Sequence, residues 1–184
     1  MTPTALKNTA LLLVDVINDM DFAGSDRLLR EAIPAAKRIA TLSKRMRATG
    51  VPVVYVNDNF GHWQSNFNQQ IERCIASDSP GREVASRLIP QPQDYFVLKP
   101  KHSGFYSTPL DVLLRFLEVD SLILTGFAAD ICVLYTANDA YMREFGLTIP
   151  SDCVASESRD GTASALAHMK QRLKARVCLS RFIR

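Results

Sequence analysis

The sequence predicts an α/β fold, a doubly wound sandwich of three layers in which helices cover both faces of a mostly parallel sheet. Three observations predict it. Several strand-length runs are apolar throughout rather than alternating, as buried parallel strands are. These runs alternate with longer stretches whose apolar residues recur at three- and four-residue spacing, the period of a helix. No internal repeat, low-complexity segment or linker interrupts the 184 residues, so residues 1–184 read as one domain long enough for a proper core. Right-handed crossovers then place any site at the carboxyl ends of the strands.

The elements follow in order. Residues 10–16 form the first strand, which ends in polar residues. Ala32, Ala36, Ile39, Ser43 and Met46 stripe a helix. Pro34 is tolerable there only in the first turn, and Gly50 stops it. Residues 51–57 form the second strand, and residues 58–92 are irregular, with two short helical patterns and several prolines. The third strand is 95–98, a leucine stripe (Leu110, Leu113, Leu114, Leu117) marks a helix, and the fourth strand is 121–125. Residues 130–145 are helical and closed by Gly146, and 147–150 is the fifth strand. Thr162, Leu166, Met169 and Leu173 stripe a last helix before a sixth strand at 176–179.

Composition excludes some functions. The net charge is +3, but Lys and Arg are dispersed among Asp and Glu, without the basic stripe of a nucleic-acid surface. No apolar run approaches the ~18 residues of a membrane span. Residues 1–9 lack the apolar stretch of a signal peptide, which makes the cytoplasm the expected compartment. Cys74, Cys132, Cys153 and Cys178 show no CxxC pairing and are expected as free thiols.

Three polar residues stand where this architecture puts active sites. Asp15 directly follows the apolar run 11–14, Lys99 follows 96–98, and Cys132 comes just after 126–129, where the fourth strand turns into a helix. If Asp130 caps that helix, Cys132 lies in its first turn. There the helix dipole favours a thiolate, and a nearby ammonium would lower the thiol pKa further. The N–H of Cys132, with another from the preceding turn, can hold an oxyanion. Asp15 can accept the thiol proton and return it to a leaving amine. Lys101, two residues on, competes with Lys99 for the basic role. Cys74, Cys153 and Cys178 read as structural thiols.

The segments LLLVDVINDMDF, VLKPKHSGFYSTPLDVLL, LILTGFAADICVLYTANDAYMREFG and IPSDCVAS resemble successive motifs of the isochorismatase-like cysteine hydrolases, the superfamily that includes nicotinamidases, over residues 10–169. The resemblance implies a six-stranded parallel sheet and a Cys–Asp–Lys triad, with the family's Asp on Asp15, its Lys on Lys99 and its nucleophile on Cys132. It also implies a cis peptide at Phe127–Ala128, with the N–H groups of Ala128 and Cys132 as the oxyanion hole. Ala129 stands where the family usually has Thr. Nicotinamidases place an Asp and several His after the second strand to bind a metal. Here that region offers Asp58 and His62, with no further His before His102, so no metal and no cofactor are expected.

The retained Cys132 favours an amide, ureido or similar carbonyl substrate. The alternatives are ether cleavage of the isochorismatase type, a nicotinamidase, and a non-catalytic binding homologue. Phe22, Trp63, Phe67, Phe105 and Tyr106 lie in loops above the strand ends, with Tyr135 one turn beyond Cys132, and these are the expected substrate-binding aromatics. Asp19 is a weaker candidate, for a substrate amine. A small-molecule substrate and a homo-oligomer are the expected partners, because the helix after Asp130 and the Trp63–Phe67 loop expose apolar surface.

Overall fold

A computed structural model describes residues 6–63 and 65–184. The strands are β1 (Thr9–Val14), β2 (Val53–Asp58), β3 (Tyr95–Lys99), β4 (Ser121–Phe127), β5 (Gly146–Pro150), β6 (Val154–Ala155) and β7 (Arg176–Cys178). The helices are α1 (Ser25–Ala48), α2 (Phe67–Ile75), α3 (Arg82–Arg87), α4 (Leu110–Phe116), α5 (Leu134–Met142) and α6 (Arg159–Arg172). The strands form one sheet in the order β3-β2-β1-β4-β5-β7, with β6 paired to β4. Every pairing is parallel. Among the described residues, no helix is long and apolar enough to cross a membrane.

The sheet therefore has seven strands rather than six. The extra one, β6, follows a turn after β5 and lies beside Gly126 and Phe127 of β4. Two residues are too few to carry a periodic signal. Gly126 (φ 115°) makes close contact with β1, since a Cβ there would lie 2.0 Å from the Val14 carbonyl oxygen.

Alternation along the buried strands splits the core in two. Leu11 and Leu13 of β1 face α1, α2 and α3, while Ala10, Leu12 and Val14 face α4, α5 and α6. α1 is longer than the stripe implied and carries Pro34 well inside it. The ring there removes the hydrogen bond to the Arg30 carbonyl, but both residues are exposed, so water can satisfy that oxygen. The helix after β4 also differs from expectation. It opens with a π turn over Ala129–Val133, with Ala128 as N-cap, and α5 ends at Met142. Asp130 is thus not the cap, and its N–H instead donates to Ser156 Oγ (3.2 Å).

Candidate active site

The parallel register sets the ends of three strands side by side. Asp58 pairs with Lys99, and Val14 lies between Val56 and Gly126. Asp15 continues from Val14, with its N–H on the Val56 carbonyl (3.0 Å) and a left-handed φ of 51°. Such a conformation is sparsely populated outside glycine, and Asp is among the residues that tolerate it. It turns the carboxylate across the sheet end toward Lys99.

Lys99 is fully buried. Its ammonium lies 2.9 Å from Asp15 Oδ2 and 3.4 Å from Asp58 Oδ2. It donates to the Lys101 carbonyl (3.1 Å) and reaches Cys132 Sγ at 3.6 Å. Asp15 Oδ1 accepts from the Asp58 N–H (2.6 Å), so both carboxylate oxygens are held. Gln70, buried on α2, donates to the carbonyls of Ile17 (3.2 Å) and Asp58 (2.9 Å), tying the segment after Asp15 to the end of β2. Cys132 is half-buried on the π turn, just beyond a cis peptide at Phe127–Ala128. On the open side of its sulfur stands His102, with Nδ1 3.8 Å away and its ring 5.5 Å from that of Tyr135. The structure thus brings Asp15, Lys99 and Cys132 together. Lys101 is exposed and contributes only its backbone oxygen.

The electrostatics follow from burial. Desolvation raises the Asp15 carboxyl above the ordinary aspartate range, outweighing Lys99 and the hydrogen bonds that lower it. Desolvation works against the Lys99 ammonium, but Asp15, Cys132 and Asp58 outweigh it and hold the proton on. Burial, then the Asp15 charge, push the Cys132 thiol far above its ordinary value despite Lys99. This corrects the expectation of a depressed thiol pKa. The sulfur lies half-buried on a π turn beside Asp15, and desolvation and that charge outweigh the pull of Lys99. The site thus gathers the Lys99 side chain between the carboxyl groups of Asp15 and Asp58, with the Cys132 thiol facing them.

The isochorismatase domain profile matches residues 9–180, nearly the whole chain. This chain belongs to the isochorismatase-like hydrolase family. It is 40% identical, over 91% of its length and 92% of the relative's, to the uncharacterized isochorismatase family protein YaaI of Bacillus subtilis. It is 31% identical to the ureidoacrylate amidohydrolase RutB of Methylorubrum extorquens, over 77% of this chain and 67% of that protein. The crystal structure of a Staphylococcus aureus nicotinamidase superposes with a TM-score of 0.69 at 27% identity, covering 92% of this chain and 96% of that one.

The donor set of this family member does not fit a metal. Asp58 is committed to Lys99 and to the Phe60 N–H (2.8 Å). His62 lines a shallow surface depression with Gly61, Trp63, Ser65 and Gln69. Among the described residues, no group of three or more His, Cys, Asp or Glu side chains is arranged to hold a cation.

Two of the aromatics expected around the substrate belong to the core instead. Phe67 opens α2 and is buried, 5.9 Å from the ring of Tyr55 and stacked 5.0 Å from that of Phe96. Phe105 is buried 5.9 Å from the ring of Phe145, under the Arg143 guanidinium. Each sits where its segment is pulled down on the sheet, so the ring gains more by leaving water than by lining a mouth. Phe22, Trp63, Tyr106 and Tyr135 are exposed, and an aromatic contact through His102 links Tyr135 to the site. Asp19 pairs with Arg73 (3.4 Å). All four cysteines are free, and burial pushes the Cys74 and Cys153 thiols up to about 12, which leaves them inert.

The sequence reading missed three residues of the site. Asp58 ends β2 one residue after the polar Asn57, and in the sequence it stands out only as a metal-ligand candidate. His102 stands out in the sequence only in the same connection. Gln70 carried no signal within a polar helical pattern.

Proposed function

We propose that this hydrolase is a metal-independent cysteine amidohydrolase acting on a small amide, ureido or related C–N carbonyl compound. The observation that carries the reading is one buried ammonium shared among Asp15, Asp58 and the Cys132 sulfur. As Sγ attacks the carbonyl carbon, the thiol proton passes to Asp15, whose raised basicity suits it to the task. The oxyanion forms against the N–H groups of Ala128 and Cys132, which belong to the turn carrying the sulfur. Asp15 then protonates the nitrogen, the C–N bond breaks, and a thioester remains for water to hydrolyse. Lys99 holds Asp15 in place and balances the charge that moves.

The retained thiol and the amidohydrolase relative support C–N hydrolysis over ether cleavage, which needs acid rather than a nucleophile. Ammonia release from a panel of small amides and ureido compounds tests the proposal. Turnover that is lost in Cys132→Ala supports it, and turnover of a vinyl ether that survives Cys132→Ala would move the protein to the ether-cleaving reading. Binding without any turnover would make it a non-catalytic homologue. Dialysis against a chelator should leave activity unchanged, and loss restored by a divalent metal would favour a nicotinamidase-like mechanism. Assembly belongs to the same proposal. Ile131, Tyr135 and Met142 leave an exposed apolar stripe along the helix after β4. A second copy covering it would give a dimer or larger species by sedimentation at micromolar concentration, and a monomer would count against it.

A further inference from the structure

Besides Asp15, two hydrogen-bonding side chains lie close to the Cys132 sulfur, and the mechanism above uses one of them. Lys99 comes from within the sheet end, and His102 from the exposed side. The loop that presents His102 is fastened to the helix that presents the sulfur. Thr136 Oγ1 donates to the Cys132 carbonyl (2.7 Å) and accepts from the Gly104 N–H (3.0 Å). Ser103 Oγ bonds Asp139 and accepts from the Phe105 N–H. A side chain at Gly104 would lie 2.7 Å from Val56 Cγ1, so only glycine lets the loop lie this close. Lys99 Nζ grips the same loop at the Lys101 carbonyl. The imidazole is exposed, yet its distance from the sulfur is set on both sides in the chain.

From this geometry we infer that His102 is a second catalytic residue, the general base for the hydrolytic half of the reaction. The inference rests on the reading of Cys132 as nucleophile and adds to it. Once the amine has left, Asp15 is again a carboxylate, on the buried side of the sulfur. Water arrives from solvent, on the side of His102. The neutral imidazole, protonated on Nε2, takes a proton from water at Nδ1 as the new C–O bond forms. The tetrahedral intermediate collapses, the C–S bond breaks, and the imidazolium returns that proton from Nδ1 to Sγ. The acid product leaves and the neutral thiol is restored, with no other reactant needed. Asp15 thus serves acylation from the buried side, and His102 serves hydrolysis from the wet side.

An activated ester isolates the second half, because p-nitrophenyl acetate acylates a thiol and loses p-nitrophenolate without acid assistance. In His102→Gln and His102→Ala, the first equivalent of p-nitrophenolate should appear in a burst of about one per site at the wild-type rate. The steady phase should then fall about 100-fold, the scale of a lost general base. Intact-protein mass spectrometry should find the acetyl adduct accumulating in both variants and missing from their Cys132→Ala counterparts. Hydroxylamine, a nucleophile that needs no base, should restore turnover. A steady phase at the wild-type rate, or an equal fall of burst and steady rates, would overturn the role of His102 while leaving Cys132 as nucleophile. A wild-type protein with no Cys132-dependent release of p-nitrophenolate would overturn both.

Discussion

The two sides of the Cys132 sulfur are built differently. On the inner side, Lys99 and Asp15 are almost wholly removed from water, with exposures of 0% and 4%. Lys99 ends β3 and Asp15 follows β1, with β2 between them in register, which leaves both little freedom. On the outer side, His102 and Tyr135 are exposed, and a loop laced to a helix sets their positions. Charge acts most strongly where the dielectric is low and the donors are already oriented. Substrate and water, however, must come from solvent. On the proposed mechanism, this difference separates proton transfer to and from the departing amine, on the rigid dry side, from recognition and hydrolysis, on the wet one.

The sharpest way to break this comparison is to remove the inner groups. Cys132→Ser and Asp15→Asn should each lower kcat/KM by about 10³-fold or more, because they remove the proposed nucleophile or its proposed base. Lys99→Met should do the same and also lower the melting temperature. It leaves the buried Asp15 carboxylate without its cation, a change that typically destabilises by about 3–5 kcal/mol. A Lys99→Met protein with near-wild-type activity would mean that the ammonium only supports the fold.

Acid distinguishes the chemistry of the inner side from its stability. On the proposed mechanism activity needs the Asp15 carboxylate, and burial raises that carboxyl. Activity should therefore fall on acidification while still above the ordinary aspartate pKa of about 4. The sign for stability is opposite. A carboxyl raised in the folded state contributes stability that is complete below its unfolded pKa and is lost as pH rises through the folded one. Lys99 is also raised, so its contribution disappears only as pH rises through a value above the ordinary lysine range. A kcat profile measured with melting temperatures over the same range should show activity declining before the fold weakens. A coincident loss would place the acid limb on unfolding instead.

The smallest effect belongs to the outer side. Tyr135→Ala should raise KM by about 3- to 10-fold and leave kcat within about 2-fold, the pattern of a contact made equally in ground and transition states. A large fall in kcat would show that Tyr135 positions His102 rather than substrate.

Much of the site was legible because a parallel sheet buried on both faces has a simple rule. Its strands are apolar until they end, so the first polar residue after each run marks the rim. Asp15 and Lys99 announce themselves in this way, and Cys132 does so by its place between strand and helix. Asp58 comes one residue after Asn57, the first polar residue of its strand, and its pairing with Lys99 follows from the register, which no single strand reveals. The aromatics carried no such rule. Phe67 and Trp63 lie four residues apart in a polar stretch, yet one is core and the other exposed. Hydrophobicity is the same signal for both fates, and only the packing of α2 against Tyr55 and Phe96 separates them.

By itself the sequence determined the layered α/β class, the carboxyl-end location of the site and the three chemical groups that meet there, because periodicity and residue type are local properties. The tertiary structure decided the state of those groups. Whether a thiol is acidic depends on how much water and which charges surround it, and here burial and Asp15 outweigh Lys99. His102 shares that dependence. Three residues beyond Lys99 it is an ordinary loop histidine, and it becomes a neighbour of the sulfur only because Gly104 lets the loop lie flat against the helix that carries Cys132.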